Sequence, residues 1–95
     1  MLKTIISAIQ RKEVLRFTYD GLPREVEPHA VGVSSSGHKV LRCFLVKGLQ
    51  PHDQNWYLVP LSKIDDLNTT EQYFSSTRSG YKNGDKGMAI IYAQI

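Results

Sequence analysis

The spacing of the apolar residues changes from a helical period to a strand period within the first twenty positions. Near the start they recur at intervals of three, one and three, which predicts a short amphipathic helix over residues 2–12. From residue 14 the pattern has a period of two, as in a half-buried strand. The helical set is Leu2, Ile5, Ile6 and Ile9, and the alternating set is Leu15, Phe17 and Tyr19. Because so short a helix persists only when docked, we expect it to cover one open side of a small sheet.

Short strand patterns separated by turn residues fill most of the remaining chain. Strands are predicted at residues 14–19, 24–27, 30–33, 40–46, 56–59 and 88–94. The segment 40–46 is the most apolar, and we expect it to form the centre of the sheet. Residues 61–67 suit a helical turn or a strand entered after it, residues 70–74 suit one helical turn, and residues 75–87 have little to bury. One helix and five or six strands predict a mainly β domain, either a small antiparallel barrel or an open sheet.

Length and charge limit the possible functions of the chain but do not identify one. The 95 residues suit one domain, and the net charge of +3 permits a nucleic-acid or nucleotide partner without requiring one. Residues 1–48 hold eight Lys and Arg against four Asp and Glu, whereas residues 49–95 hold four against five. An anion site is therefore predicted in the first half of the chain.

The residue patterns of catalysis, metal binding and secretion are absent from the sequence. His29, His38 and His52 lack the spacing of metal ligands, and there is no glycine-rich phosphate loop or nucleophile elbow. The single cysteine, Cys43, excludes an intramolecular disulfide and is predicted to be a buried apolar group. We therefore expect a non-enzymatic cytoplasmic protein with no cofactor, no metal and no membrane association.

Several short sequence motifs follow one another along residues 2–74 in a specific order. They lie at residues 8–12, 14–19, 24–28, 41–46 and 55–64, with Phe74 ten residues later. In this order they resemble the WYL domain family. The first two motifs are similar to its opening helix and first strand, and the third to its second strand, in which an arginine precedes Val-Glu-Pro. The fourth is similar to the strand after which the family is named, and the fifth to its closing segment. The tripeptide Trp56-Tyr57-Leu58 lies in the strand after the one for which the family is named, so it is not part of the resemblance.

The resemblance implies an Sm-like, SH3-type antiparallel barrel with an N-terminal helix over residues 1–75, and a polar loop with a C-terminal strand or arm over residues 76–95. It also implies a ligand-sensing module of bacterial or phage transcription regulation or phage defence, which binds nucleic acid or a nucleotide in a basic and aromatic pocket. Because about a dozen residues precede the first strand, we expect a stand-alone module. Two arginines of the family's closing segment are missing here, where Lys63 is the remaining cation.

Five side chains are candidates for binding such a ligand: Tyr19, Arg24, Arg42, Trp56 and Lys63. Arg42 is the most informative because it interrupts an apolar strand, where an unpaired guanidinium is costly. It requires an ion pair with Glu25 or Glu27, an exposed edge, or the phosphate of a ligand.

The aromatic candidates allow two interpretations each. Arg24 lies near the same turn as Tyr19, so the two either share a pocket or are a solvated arginine and an interior tyrosine. Trp56 and Tyr57 alternate faces, so one belongs to the core. The other is either a stacking surface for single-stranded nucleic acid or a cap over the end of the barrel.

Assembly is the alternative function for such a chain. Small barrels expose sheet edges, and the predicted tail strand at residues 88–94 suits pairing with a neighbour's edge. The chain would then form a homo-oligomer, a dimer or larger, whose interface is its function.

Overall fold

A computed structural model describes residues 1–48 and 55–95. Its elements are one helix, six strands and a 3-10 turn. In chain order they are α1 (Leu2–Arg11), β1 (Glu13–Tyr19), β2 (Leu22–Val33), β3 (Lys39–Lys47), β4 (Trp56–Pro60), the 3-10 turn (Leu61–Lys63), β5 (Asp65–Tyr73) and β6 (Ile90–Gln94). All strand pairs are antiparallel, in the order β4-β3-β2-β1-β5, and β6 pairs with β2. The mainly β class with an N-terminal helix is confirmed. Within the described ranges the end strands β4 and β5 do not pair, so the sheet is not closed into a barrel.

The helix α1 covers one face of the sheet, as its apolar stripe predicts. Ile5, Ala8 and Ile9 are buried against the strands, where they join the main core. The helix ends at Arg11 because Lys12 adopts a left-handed conformation (φ 54°) and its N–H bonds back to Ala8 and Ile9. Among the described residues, no helix combines the length and apolar character needed to cross a membrane.

The hairpin of β1 and β2 establishes which side chains face the core. Asp20 and Gly21 form its two-residue turn with positive φ angles of 52° and 73°, the conformation that Asp-Gly favours. Leu15 and Phe17 are buried beneath α1, and Tyr19 packs at the margin of the same core. The predicted alternation is confirmed from Leu15 to Phe17, whereas Val14 on the other face is also buried.

The strand β2, rather than β3, lies at the centre of the strand order. Its twelve residues pair with β3 along one edge, and with β1 and then β6 along the other. A register shift between Pro28 and Ala30 places His29 in a bulge. The expectation that residues 40–46 form the centre is therefore wrong, because a strand as long as β2 accommodates three neighbours.

The strand β5 occupies the region where a helical turn was predicted at residues 70–74. Its pairing with β1 contains two irregularities, and Asp66 and Glu71 have positive φ angles of 54° and 60° there. The Thr70 hydroxyl donates to the carbonyl of Val14 (2.7 Å). The helical turn was a wrong prediction, since pairing with β1 outweighs the local preference.

Residues 75–89, called here the covering segment, lie across the face of the sheet opposite α1. Its Met88 is buried in a second small core with Ala30 and Val40. Beyond it, β6 pairs with β2, which confirms a strand in the tail. Residues 75–87 were predicted to have little to bury, but their Tyr81 and Asp85 are both partly buried.

Candidate anion-binding sites

The sheet separates the five predicted ligand residues into three places. Tyr19 and Arg24 lie at the margin of the face that α1 covers. Arg42 and Trp56 lie on the opposite face, beneath the covering segment. Lys63 is exposed in the 3-10 turn. The structure therefore contains two candidate regions where the sequence suggested one set of residues.

Arg24 is held between two tyrosines. Its guanidinium carbon lies 5.1 Å from the ring centre of Tyr19 and 5.9 Å from that of Tyr57, distances typical of cation–π contacts. Tyr19 and Arg24 are thus in contact, and whether they share a ligand pocket stays a prediction. The Nε of Arg24 is buried, and it has no hydrogen-bond partner among residues 1–48 and 55–95.

A cleft of about 370 Å³ opens beside Arg24 and is called here the arginine cleft. Its lining consists of Arg16, Pro23, Arg24, Glu25, Lys47 and Gly48. Glu25 accepts a hydrogen bond from Arg16 (2.9 Å), so the three cations exceed the one carboxylate by two charges. The cleft therefore favours an anion.

Gly48 brings the end of β3 against the backbone of β2 at this cleft. Its φ of 138° lies where L side chains are rarely found, and a Cβ there would lie 3.0 Å from the carbonyl oxygen of Pro23. A larger residue would push the two backbones apart, so the shape of the arginine cleft depends on this glycine.

Arg42 is neutralised by Asp85 of the covering segment. Its Nε and an Nη donate to the two carboxylate oxygens at 2.6 and 3.1 Å, and the Gly87 N–H donates to the same carboxylate (2.8 Å). These bonds raise the pKa of Arg42 and lower that of Asp85. The partner is neither of the two glutamates that the sequence suggested, because Glu25 bonds Arg16 and Glu27 bonds Arg78.

Trp56 lies in a cluster of aromatic rings on the same face. Its ring centre lies 4.8 Å from that of His29, 5.3 Å from Phe44 and 6.2 Å from Tyr81. The indole N–H donates to the carbonyl of Ser79 (2.9 Å). Tyr57 packs against the main core on the other face, as the alternation of β4 predicts, whereas Trp56 is partly covered by the covering segment.

Arg78, Tyr81 and Asp85 in the covering segment were missed as partners of this face. Charge balance is the signal that could have found Arg78 and Asp85. Glu27 and Arg42 both lie on mostly apolar strands and require opposite charges. The polar tail supplies one arginine and one aspartate, and Arg78 bonds Glu27 at 2.7 and 2.9 Å.

A second cavity, of about 430 Å³, lies between Trp56 and the covering segment and is called here the tryptophan cavity. Arg42, Trp56 and residues 80–87 line it. Within residues 1–48 and 55–95, no group of three or more His, Cys, Asp or Glu side chains could hold a metal ion. His52 and its neighbour Asp53 lie outside the described residues.

Cys43 is a buried part of the main core, as predicted. Its side chain is fully enclosed by the sheet and α1. Burial raises the pKa of its thiol to about 12, so the reactive thiolate is not formed at neutral pH.

The comparisons with known proteins leave the function to be argued from this geometry. No family model, no curated protein and no solved structure matches the chain. The resemblance to the WYL domain family therefore stays a prediction, and any functional proposal rests on the two regions described above.

Proposed function

We propose that the chain is a non-enzymatic binding module that captures a phosphate-bearing ligand, single-stranded nucleic acid or a nucleotide, in the arginine cleft. One observation carries the proposal: the buried Nε of Arg24 has no hydrogen-bond partner among the described residues. A buried N–H without a partner costs about 1–3 kcal/mol, and a ligand oxygen that reached this Nε would recover that cost.

The surroundings of Arg24 suit phosphate in particular. Arginine presents its N–H groups in a planar fork that matches two phosphate oxygens. Tyr19 and Tyr57 hold the guanidinium of Arg24 by cation–π contacts. Arg16 and Lys47 line the cleft together with Arg24 and add positive charge there. Exposed parts of aromatic rings next to such cations are the surfaces on which bases stack in single-stranded complexes.

The strand order supports the more specific fold that this function implies. The antiparallel order β4-β3-β2-β1-β5, with a 3-10 turn between β4 and β5, supports an SH3-type or Sm-like assignment. We therefore propose that the sheet is an open version of that architecture and that the chain is a WYL-like ligand sensor. Roles in transcription regulation or phage defence, and a cytoplasmic location, complete this proposal.

Binding of a labelled single-stranded oligonucleotide, measured by fluorescence anisotropy at two salt concentrations, tests the function. We expect binding at low salt that weakens as salt rises, because phosphate contacts release counterions. Arg24→Gln should weaken it by at least about tenfold, and Arg24→Lys should restore only part of the affinity since it lacks the fork. Lys39→Gln removes one exposed charge elsewhere and should have a much smaller effect. Absence of binding at low salt, or equal binding by Arg24→Gln, would overturn the proposal.

Assembly is the second candidate, and β6 is the observation that favours it. This strand pairs with β2 along one edge, and no described strand pairs with its other edge. Its Ile90 and Tyr92 are 55% and 44% exposed. If β6 forms a homo-oligomeric interface, the wild-type mass in solution should exceed one chain, and Ile90→Lys with Tyr92→Lys should return it to a monomer. A wild-type monomer at all concentrations would exclude this candidate.

A further inference from the structure

We infer that the tryptophan cavity is a second binding site, for a small planar aromatic ring that carries an anionic group. This site lies on the opposite face of the sheet from the arginine cleft and does not rest on the function proposed for that cleft. The inference combines three features of the cavity: fixed aromatic rings, a backbone wall built on glycine, and unpaired cations.

The aromatic rings of the cavity are held in place before any ligand arrives. Trp56 and Tyr81 lie nearly parallel, with an interplanar angle of 23°. The Trp56 ring is fixed by the edge contacts of His29 and Phe44 and by its hydrogen bond to Ser79. The Tyr81 hydroxyl donates to the carbonyl of Ile95 (3.2 Å). Fixed rings favour stacking because little side-chain entropy remains to be lost.

Residues 80–87 also line the cavity, and two glycines let their backbone lie close to the side chains of the sheet. A Cβ at Gly80, where φ is +92°, would lie 3.1 Å from the indole nitrogen of Trp56. A Cβ at Gly87 would lie 3.1 Å from the Leu58 side chain. The ion pair of Asp85 with Arg42 fastens this wall to β3. The cavity is therefore a built feature of the fold rather than a gap under a loose loop.

The charge of the cavity favours an anion. Lys82 and Lys86 are exposed at its lining, and neither forms an ion pair within the described part of the chain. The carboxylate of Asp85 is already engaged by Arg42 and the Gly87 N–H. The volume of about 430 Å³ also falls within the range of about 300–1,000 Å³ of small-molecule sites. A ring stacked at Trp56 would place its anionic group within the field of the two lysines.

Fluorescence of the single tryptophan tests the site directly, because Trp56 is itself part of it. Adenosine monophosphate and 2-naphthoate each supply a ring with an anion, whereas adenosine lacks the anion and ribose 5-phosphate lacks the ring. After correction for absorbance, we expect saturable quenching by one or both of the first pair, and binding at least about tenfold weaker for the last two. If only the nucleotide binds, the natural ligand is a nucleotide; if only the naphthoate binds, it is an aromatic carboxylate. Equal affinity for ribose 5-phosphate, or no saturable quenching by either ring-bearing anion, would overturn the inference.

Matched variants connect the fluorescence change to the cavity. Lys82→Gln with Lys86→Gln should weaken binding by about tenfold, whereas Lys3→Gln with Lys39→Gln removes the same charge elsewhere and should leave it within about twofold. Arg24→Gln should leave this quenching unchanged even where it abolishes oligonucleotide binding, which separates the two sites. Equal binding by the Lys82/Lys86 variant, or loss of quenching in Arg24→Gln, would contradict the second site.

Discussion

The ring of His29 accepts a hydrogen bond from the backbone N–H of Arg78, with 3.2 Å between the two nitrogens. Its other ring nitrogen lies 2.9 Å from the carbonyl oxygen of Glu27, so Nδ1 carries the proton and Nε2 is the acceptor. The neutral ring thereby joins β2 to the covering segment. Protonation of Nε2 would turn it into a donor that faces the N–H of Arg78, so this hydrogen bond would be lost.

Acid should therefore destabilise the protein below about pH 6.5. Burial lowers the pKa of His29, with Glu27 and Arg78 as the charged groups nearest to it and Tyr81 as the neighbouring titratable ring. The unfolded chain binds this proton near pH 6.5, whereas the folded chain binds it only at lower pH. The free energy of unfolding should therefore fall as pH decreases below about 6.5 and level off below the folded pKa, as urea titrations can measure.

Two histidine variants separate this effect from general acid sensitivity. His29→Gln should remove the decrease near pH 6.5, and His38→Gln, at an exposed turn, should keep it. A wild-type free energy of unfolding that is constant between about pH 7.5 and 5.5 would contradict the role of His29.

The ion pair of Arg42 and Asp85 should contribute more to stability than a surface pair does. Asp85 is 7% exposed and Arg42 is 27% exposed, so removing one partner leaves a charge with little access to water. Arg42→Gln should cost about 2–3 kcal/mol in urea unfolding. Arg16→Gln, which breaks the pair with Glu25 at a 52% exposed arginine, should cost less than about 1 kcal/mol.

A double variant checks that this cost comes from the pair itself. Arg42→Gln with Asp85→Asn should cost less than the sum of the two single variants, because neither charge is then left alone. Additive costs would mean that the two side chains act independently.

Gly32 should be essential for adding β6 to the sheet. A Cβ at this position would lie 2.0 Å from the carbonyl oxygen of Ile90, a distance that no side chain can occupy. Gly32→Ala should therefore detach β6 and cost at least about 3 kcal/mol. Amide hydrogen exchange should show lost protection at residues 90–94, which pair with β2 in the native sheet.

Gly37 provides the matched control for that variant. It has a positive φ of 87°, but a Cβ there would meet nothing within 4 Å. Gly37→Ala should cost only the backbone strain, about 1 kcal/mol, and leave the protection of β6 unchanged. Similar exchange at residues 90–94 in both variants would show that the close approach at Gly32 is not what holds β6.

The thiol of Cys43 should be unreactive in the folded protein. It is fully buried, and its pKa of about 12 leaves almost no thiolate at neutral pH. Labelling with a thiol-specific disulfide reagent should be complete in denaturant and very slow without it. Native labelling at the rate of a free thiol would show that the sheet opens at β3.

Local patterns predicted the parts of this fold that local forces determine. The stripe of α1 and the alternation of β1 follow from residues within a few positions of one another, so the buried faces of Ile5, Leu15 and Phe17 could be read in advance. The same alternation placed Tyr57 and Trp56 on opposite faces of β4.

Contacts between residues distant in the sequence could not be predicted from local patterns. Arg42 and Asp85 are 43 residues apart, and their pairing depends on where the covering segment crosses the sheet. The sequence indicated that Arg42 needs a counterion but not which carboxylate supplies it. Local helical preference at residues 70–74 was likewise outweighed by pairing with β1, a contact that no short window contains.

The three neighbours of β2 also determine how this protein must fold. Pairing of Val31 with Ala93 joins residues about sixty positions apart, so β6 can be added only after a long loop of chain has closed. Sheets dominated by such distant contacts fold in about milliseconds to seconds, far more slowly than helical bundles. Trp56 bonds Ser79 and contacts Tyr81 of the covering segment, so the emission of this tryptophan would report when that segment docks during folding.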